Sequence, residues 1–155
     1  PLVMVGSGPL EEQLRHMAAG NPLVTFAGRL PVEEACREVA ESELLVLPTQ
    51  CYETFGRTVL EAYAMGTAVI SSRGTAPGSL VREEETGYLV ESGDVESLTA
   101  AIKRFFGLPV KSRRAMGERG LELYQDHFHR RGNLELLTAI YREAIADVAA
   151  GKGEK

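Results

Sequence analysis

The sequence is poor in the residues that build disulfides and metal sites. It has two cysteines, three histidines and no tryptophan. Cys36 and Cys51 cannot form a disulfide framework, and no pair of cysteines or histidines has the spacing of zinc ligands. Cationic side chains are also in the minority, because 17 Lys and Arg residues against 22 Asp and Glu give a net charge of -5. We therefore predict no metal site and no nucleic-acid partner.

Long hydrophobic runs are absent as well. No stretch approaches the roughly 18 apolar residues of a membrane-spanning helix, and residues 1–10 lack the regions of a signal peptide. We expect a cytoplasmic protein. Five basic residues at 103, 104, 111, 113 and 114 interleave with Phe105 and Phe106. That pattern allows a peripheral contact with the inner face of a membrane, although a helix end and its linker explain it more simply.

The apolar residues follow an alternating pattern of strand and helix. Strands are predicted at residues 2–5, 23–26, 44–47, 68–70 and 88–90, and helices at residues 9–19, 31–42 and 57–65. This alternation predicts an α/β fold, with a Rossmann-like parallel sheet covered by helices on both faces. After residue 90 the pattern becomes helical, with helices at 94–106, 111–126 and 131–148, the first capped by Asp94.

The length of 155 residues predicts one compact unit followed by a terminal helix. We assign residues 1–128 to the Rossmann-like domain, residues 129–148 to the helix and residues 149–155 to a disordered tail. The helix carries an apolar stripe of Leu134, Leu137, Tyr141, Ile145 and Val148. This stripe, and a start at Pro1 that leads directly into an apolar strand expected to be buried, favour a part of a longer protein. A short protein whose last helix packs on its own sheet is an equally weighted alternative.

The loop and helix at residues 47–66 are the best candidate for a ligand site, because open parallel sheets bind ligands beyond the carboxyl ends of their strands. A helix that begins after Gly56 has free N–H groups suited to a phosphate, and glycine allows close approach. Glu61 lies among apolar residues, so we expect it to be mostly buried and paired, either with Arg57 one turn earlier or with a ligand hydroxyl. Glu53, taken alone, is most simply an exposed loop acid.

Taken together, these residues resemble the signature of family 4 retaining glycosyltransferases with the GT-B fold. In that signature two glutamates separated by seven residues bracket a Phe-Gly turn, as Glu53 and Glu61 bracket Phe55 and Gly56 here. Further matches are Gly-Ser-Gly-Pro at residues 6–9, the strand ending at Gly28, and residues 85–94. The resemblance covers nearly the whole chain.

The resemblance implies the C-terminal, donor-binding half of a GT-B fold that lacks its first strand-helix unit, with residues 129–148 as the crossover helix. It implies a hexosyltransferase that takes a nucleotide-diphosphate sugar as donor substrate and retains the anomeric configuration, without a metal or another cofactor. The acceptor belongs to a missing N-terminal domain, the partner of this one. We therefore expect the chain alone to bind donor weakly and to be inactive.

The resemblance also implies roles for individual residues. Glu53 faces the donor sugar and is the catalytic candidate, and Glu61 holds the ribose hydroxyls. The amides that cradle the diphosphate are those around Phe55, Gly56, Arg57 and Thr58, while Arg29 and Leu30 flank the base. Two departures from the family's pattern stand out. Arg57 occupies a place that is more often aliphatic, where it can reach phosphate or pair with Glu61, and residues 74–81 lack the usual glutamate after proline, with Ser79 in about its place.

Two other functions remain as alternatives. The first is a non-catalytic nucleotide-sugar-binding module that acts through a partner protein. The second is a dinucleotide-binding oxidoreductase domain, which Gly6-Ser-Gly8 suggests. It is less favoured because Glu11 stands where the third glycine of that motif is required. Cys51 has no accompanying histidine pattern and is interpreted as inert.

Overall fold

The computed structural model describes residues 1–149, and within them strands and helices alternate as the sequence predicts. The elements, in chain order, are β1 (Leu2–Val5), α1 (Glu11–Met17), β2 (Val24–Gly28), α2 (Val32–Ala40), β3 (Leu44–Leu47), α3 (Arg57–Ala64), β4 (Ala68–Ser72), α4 (Ala76–Ser79), β5 (Gly87–Val90), α5 (Val95–Gly107), α6 (Val110–His127) and α7 (Arg130–Ala149). The α/β fold is thus confirmed. The short α4 was not predicted. Ala149, expected in the tail, ends α7, and the rest of that tail lies outside the described residues.

The strands form two parallel sheets in the described part of the chain, where the sequence predicted one. β1 pairs with β2, and β4 lies between β3 and β5 in a three-stranded sheet. Because every pairing is parallel, the loops that follow β3, β4 and β5 leave the same edge of the larger sheet. That edge carries the loop before α3, where the sequence places the ligand site.

Hydrophobic clusters cover both faces of the three-stranded sheet. Val69 of β4 packs on one face with Val59 and Tyr63 of α3. Ala68 and Ile70, which point to the opposite face because side chains alternate along a strand, pack with α5 and with Met116 of α6. Helix α6 contributes to both clusters, because Leu123 belongs to the first and Met116 to the second. The core therefore holds α3 on one face of β4 and α5 on the other.

Helix α6 approaches its neighbours closely through two buried glycines. A Cβ on Gly117 would lie 1.9 Å from the backbone oxygen of Gly66, and one on Gly120 would lie 2.5 Å from Cδ1 of Tyr63. Neither position has room for a side chain. The two glycines let the backbone of α6 rest directly on the end of α3 and the turn into β4.

The buried residues of the described chain all lie between Gly56 and Leu123. The expectation that β1 is buried is wrong, because Leu2, Val3 and Val5 are 50%, 38% and 46% exposed. The physical reason is that β1 pairs only with β2, and no buried cluster includes either strand. α7 likewise contributes no buried residue. No helix in residues 1–149 has the length and hydropathy needed to cross a membrane.

Candidate functional site

The N-terminus of α3 is built on a close contact between two loops at the carboxyl edge of the larger sheet. Gly56, the N-cap residue, has φ of +78°, a left-handed conformation that favours glycine. A Cβ at Gly56 would lie 2.6 Å from Cα of Pro77 in α4. The position therefore needs glycine for two independent reasons, and the contact ties the loop after β3 to the loop after β4.

Thr75 holds α4 in the position that makes this contact. Its Oγ1 donates to Ser72 O at 2.7 Å and accepts from Gly78 N at 3.1 Å, which caps the helix. The Thr75-Ala-Pro77 pattern is a helix-start signal in the sequence that could have predicted α4, because threonine is favoured at the N-cap and proline in the first turn. Ser72 Oγ is buried and has no hydrogen-bond partner within residues 1–149.

The two residues that follow Pro77 in α4 are Gly78 and Ser79, and neither supplies an acid. A Cβ on Gly78, directly after Pro77, would lie 2.0 Å from Ser72 O, so no side chain fits there. Ser79 is exposed and its Oγ donates to Ala76 O at 2.7 Å. Its hydroxyl is thus engaged inside α4 itself.

The first turn of α3 presents unpaired amides. No side chain caps the helix and no acidic residue lies in its first turn. Val59 N donates to Gly56 O at 3.0 Å, whereas the N–H groups of Arg57 and Thr58 have no acceptor within the described range. Free amides at the positive end of a helix dipole attract an anion. These two amides belong to the segment predicted to cradle a phosphate, and that role stays a prediction.

Glu61 is paired with Arg57 and is partly buried. Arg57 Nε lies 2.9 Å from Glu61 Oε1, and the Glu61 side chain is 33% exposed. The physical reason is the helical arc: the buried residues of α3 share one side, and Glu61 and Arg57 share the other. The sequence left two partners for Glu61 open, Arg57 and a ligand hydroxyl, and in the structure Glu61 pairs with Arg57.

The remaining predicted donor residues lie on an open surface. Glu53 and Thr58 are exposed, and Phe55 is 52% exposed with its ring edge-on to Phe128, 6.4 Å between centroids. Phe128 follows α6 and was not singled out from the sequence. Cys51 is exposed, and its N–H donates to Thr49 Oγ1 at 3.2 Å in the same loop.

The predicted base-flanking residues follow the smaller sheet. Arg29 is exposed and Leu30 is half-buried, directly after β2. Gly6 N donates to Gly28 O at 2.7 Å, so the loops that follow β1 and β2 meet at the carboxyl edge of that sheet. Within residues 1–149 no hydrogen bond or ion pair joins Arg29 or Leu30 to the two glutamates.

A small cavity of about 130 Å³ lies at the same edge of the larger sheet, between residues 48–50 and 90–98. Its polar lining comes from Gln50, Glu91 and Asp94. None of the predicted donor residues lines it. Asp94 caps α5 as predicted, since its Oδ1 accepts from Glu96 N at 2.8 Å.

The basic segment around the α5–α6 turn is partly neutralised. Arg104 pairs with Glu84, and Arg113 Nε lies 2.7 Å from Glu43 Oε2 while its guanidinium stacks on Phe106. Contact with a membrane stays a prediction. No group of three His, Cys, Asp or Glu side chains in the described part of the chain has a geometry that could hold a metal ion.

Residues 1–107, which include both glutamates and the Gly56 turn, match the sequence profile of the family described as glycosyl transferases group 1. The chain belongs to this family. The glycosyltransferase resemblance and the GT-B-like α/β fold are thereby confirmed.

Known proteins resemble this chain along most of its length, in sequence or in fold. MMP alpha-(1->4)-mannosyltransferase from Mycolicibacterium hassiacum is 32% identical over 145 residues, which are 93% of this chain and 34% of that protein. Sucrose-phosphate synthase from Thermosynechococcus elongatus superposes with a TM-score of 0.82 at 31% identity, over 94% of this chain and 38% of that one. The Anabaena protein Alr3699/HepE, solved in complex with UDP and glucose, gives a TM-score of 0.72 at 18% identity, over 88% of this chain and 40% of that one. The chain thus spans between 34% and 40% of the length of these three proteins.

Proposed function

We propose that this chain is the C-terminal, donor-binding part of a two-domain retaining hexosyltransferase of family 4, which moves a hexosyl group from a nucleotide-diphosphate sugar to an acceptor. The observation that carries the proposal is the N-terminus of α3. There, unpaired amides of Arg57 and Thr58 lie on the same helix as Glu61, at the carboxyl edge of a parallel sheet. The Anabaena neighbour's UDP and glucose complex supports a sugar-nucleotide donor for this fold.

Each site residue has a chemical task in this proposal. The Glu61 carboxylate accepts hydrogen bonds from ribose hydroxyls, and the first-turn amides of α3 bind the diphosphate. Those amides are oriented before the ligand arrives, so they stabilise the negative charge that grows on the leaving diphosphate without reorganisation. Glu53 faces the donor sugar as the catalytic candidate. Arg29 and Leu30 flank the base, chiefly through their backbone.

The proposal extends to what lies around this site. An N-terminal domain holds the acceptor, and the chain alone binds donor without transferring the sugar. No metal or other cofactor takes part, because electrostatic stabilisation of the diphosphate comes from protein groups. The protein acts in the cytoplasm. A peripheral membrane contact through the α5–α6 turn is compatible with Lys103, Lys111 and Arg114, which form no ion pair within residues 1–149.

Ligand-observed NMR with millimolar UDP-, GDP- and ADP-sugars, the free nucleotides and NAD tests the proposal. The wild-type chain should bind one sugar nucleotide selectively, and Glu61→Ala should strongly weaken that binding because the ribose loses its acceptor. Glu118→Ala removes another exposed helical glutamate on α6 and should leave binding intact. Preferential binding of NAD, or binding that is indifferent to Glu61, would contradict the proposal. Sugar transfer by the 155-residue chain would refute its inactivity.

A further inference from the structure

The ion pair with Glu61 leaves N–H donors of the Arg57 guanidinium without an acceptor. Arg57 Nε lies 2.9 Å from Glu61 Oε1 in an ion pair, and the Arg57 side chain makes no hydrogen bond within residues 1–149. A guanidinium carries five N–H donors in a rigid fork. These donors are therefore available to a second acceptor.

Three features weaken this ion pair, so that Arg57 can readily take another partner. The arginine precedes the glutamate by four residues, which is the less favourable order on a helix. The Arg57 side chain is 77% exposed, so water screens the pair. Arg57 is, in addition, the first residue of α3, where the helix dipole disfavours a cation. An anion bound at this helix end would offset the repulsion between the helix dipole and the Arg57 cation. It would also compete with Glu61 for the guanidinium.

We propose that Arg57 exchanges partners when the donor binds. Its guanidinium moves from Glu61 to the diphosphate, and this move releases the Glu61 carboxylate to the ribose hydroxyls. This inference rests on the proposed function. The diphosphate site and Arg57 belong to the same first turn of α3, so the exchange needs only side-chain rotation. Phosphate oxygens suit the guanidinium fork better than a single exposed carboxylate oxygen, because two parallel charge-assisted hydrogen bonds can form.

The exchange makes Arg57 a specificity-determining residue. A ligand with a diphosphate supplies the new partner for Arg57 and frees Glu61 in the same event. A nucleoside without phosphates has to compete with Arg57 for Glu61 and offers no replacement. Arg57 therefore favours phosphorylated ligands in two ways. It attracts the phosphate, and it occupies the Glu61 carboxylate when a ligand without phosphate binds.

Opposite effects of one substitution on two ligands test this proposal. The 155-residue chain is titrated with uridine and UDP, guanosine and GDP, and adenosine and ADP, and the pair with the base that binds most tightly is analysed. Arg57→Leu should raise the affinity for the nucleoside about twofold, since the competing ion pair is gone. It should lower the affinity for the diphosphate about tenfold, since a charge-assisted contact is lost.

Three further variants serve as controls. In the Glu61→Ala background, Arg57→Leu should no longer raise nucleoside affinity, because there is no carboxylate left to release. Arg57→Lys should recover part of the diphosphate affinity, as expected for a charge without the fork. Arg104→Leu removes an arginine from another surface ion pair, with Glu84, and should change neither affinity.

The NMR signal of the Arg57 Nε–Hε group reports the exchange directly. Inorganic pyrophosphate should move that signal toward its position in Glu61→Gln, where the ion pair is absent. If Arg57→Leu weakens nucleoside and diphosphate equally, Arg57 only orients Glu61 and the inference is overturned. It is also overturned if binding depends on Glu61 but not on Arg57, a result that leaves the proposed function standing. Absence of binding by every nucleotide refutes both.

Discussion

The hydroxyl of Tyr63 is the polar centre of the core cluster that holds α3. It shares a 2.6 Å hydrogen bond with Thr86 Oγ1 and lies 3.2 Å from Leu80 O, to which it can donate. The side chain is fully buried and also packs on the backbone of Gly120. Tyr63 thereby connects the helix that carries Glu61 to the segment that enters β5. Burial raises the pKa of Tyr63 to about 12, because the phenolate would lose its hydration.

This raised pKa predicts a stability loss in alkaline solution. The unfolded chain ionises Tyr63 near pH 10, whereas the folded chain keeps it neutral up to about pH 12. Between these values the unfolded state binds fewer protons, so the free energy of unfolding falls as pH rises, by about 2–3 kcal/mol in total. Urea unfolding from pH 8 to 12 should show this fall in the wild type and not in Tyr63→Phe. Parallel curves for the two proteins would contradict the assignment.

At pH 7, the same variant should be less stable than the wild type by about 1–2 kcal/mol, because Thr86 Oγ1 loses its buried partner. The two effects have opposite signs, so the stability curves of wild type and Tyr63→Phe should converge as pH increases. Convergence distinguishes a titrating hydroxyl from a simple packing defect.

At the scale of elements, the contact between α6 and the α3–β4 turn depends on the absence of one side chain. A methyl group at Gly117 would lie 1.9 Å from Gly66 O, a backbone atom that cannot rotate away. Helix α6 would have to shift, together with Met116 and Leu123, its contributions to the two core clusters. Tight packing of this kind is costly to expand.

We expect Gly117→Ala to lower the free energy of unfolding by about 2–3 kcal/mol, even though alanine favours a helix more than glycine does. Gly132→Ala is the matched control, because Gly132 lies in α7 and a Cβ there would meet no atom within 4 Å. That change should be neutral or stabilising, by up to about 1 kcal/mol. Urea denaturation followed by circular dichroism measures both. Equal effects of the two substitutions would mean that α6 does not pack as described.

The order of elements was predictable because strand and helix periods differ and each strand here is short and apolar. The boundaries of β3 were predicted without error, and Asp94 as the cap of α5 follows from side-chain chemistry alone. The contact of Gly56 with Pro77 was not predictable, since it depends on how two loops meet across the sheet. The partial exposure of Glu61 could have been derived from its position on the helix, opposite the buried residues. Apolar neighbours such as Met65, itself 43% exposed, suggested instead a helix that is buried all round.

At the scale of the whole molecule, buried and exposed apolar residues are unevenly distributed along the chain. The segment from Gly56 to Leu123 contains the entire buried core of residues 1–149. Outside it, β1 and α7 expose large apolar side chains. On α7 these include the predicted stripe and also Leu136 and Ile140, which are 62% and 53% exposed, so the apolar face is wider than the sequence analysis proposed. Contiguous apolar surface of this kind binds hydrophobic molecules.

We therefore expect the 155-residue chain to bind a hydrophobic dye such as ANS while fully folded. Replacing Leu134, Leu137 and Tyr141 together by Gln should reduce dye fluorescence several-fold. It should leave the midpoint of urea unfolding nearly unchanged, because these side chains are 60%, 47% and 62% exposed and contribute little to the core. Replacing Glu135 and Glu143 by Gln changes polar residues of the same helix and should leave the fluorescence unchanged. A triple variant that unfolds at lower urea would show instead that α7 packs against the rest of the chain in solution.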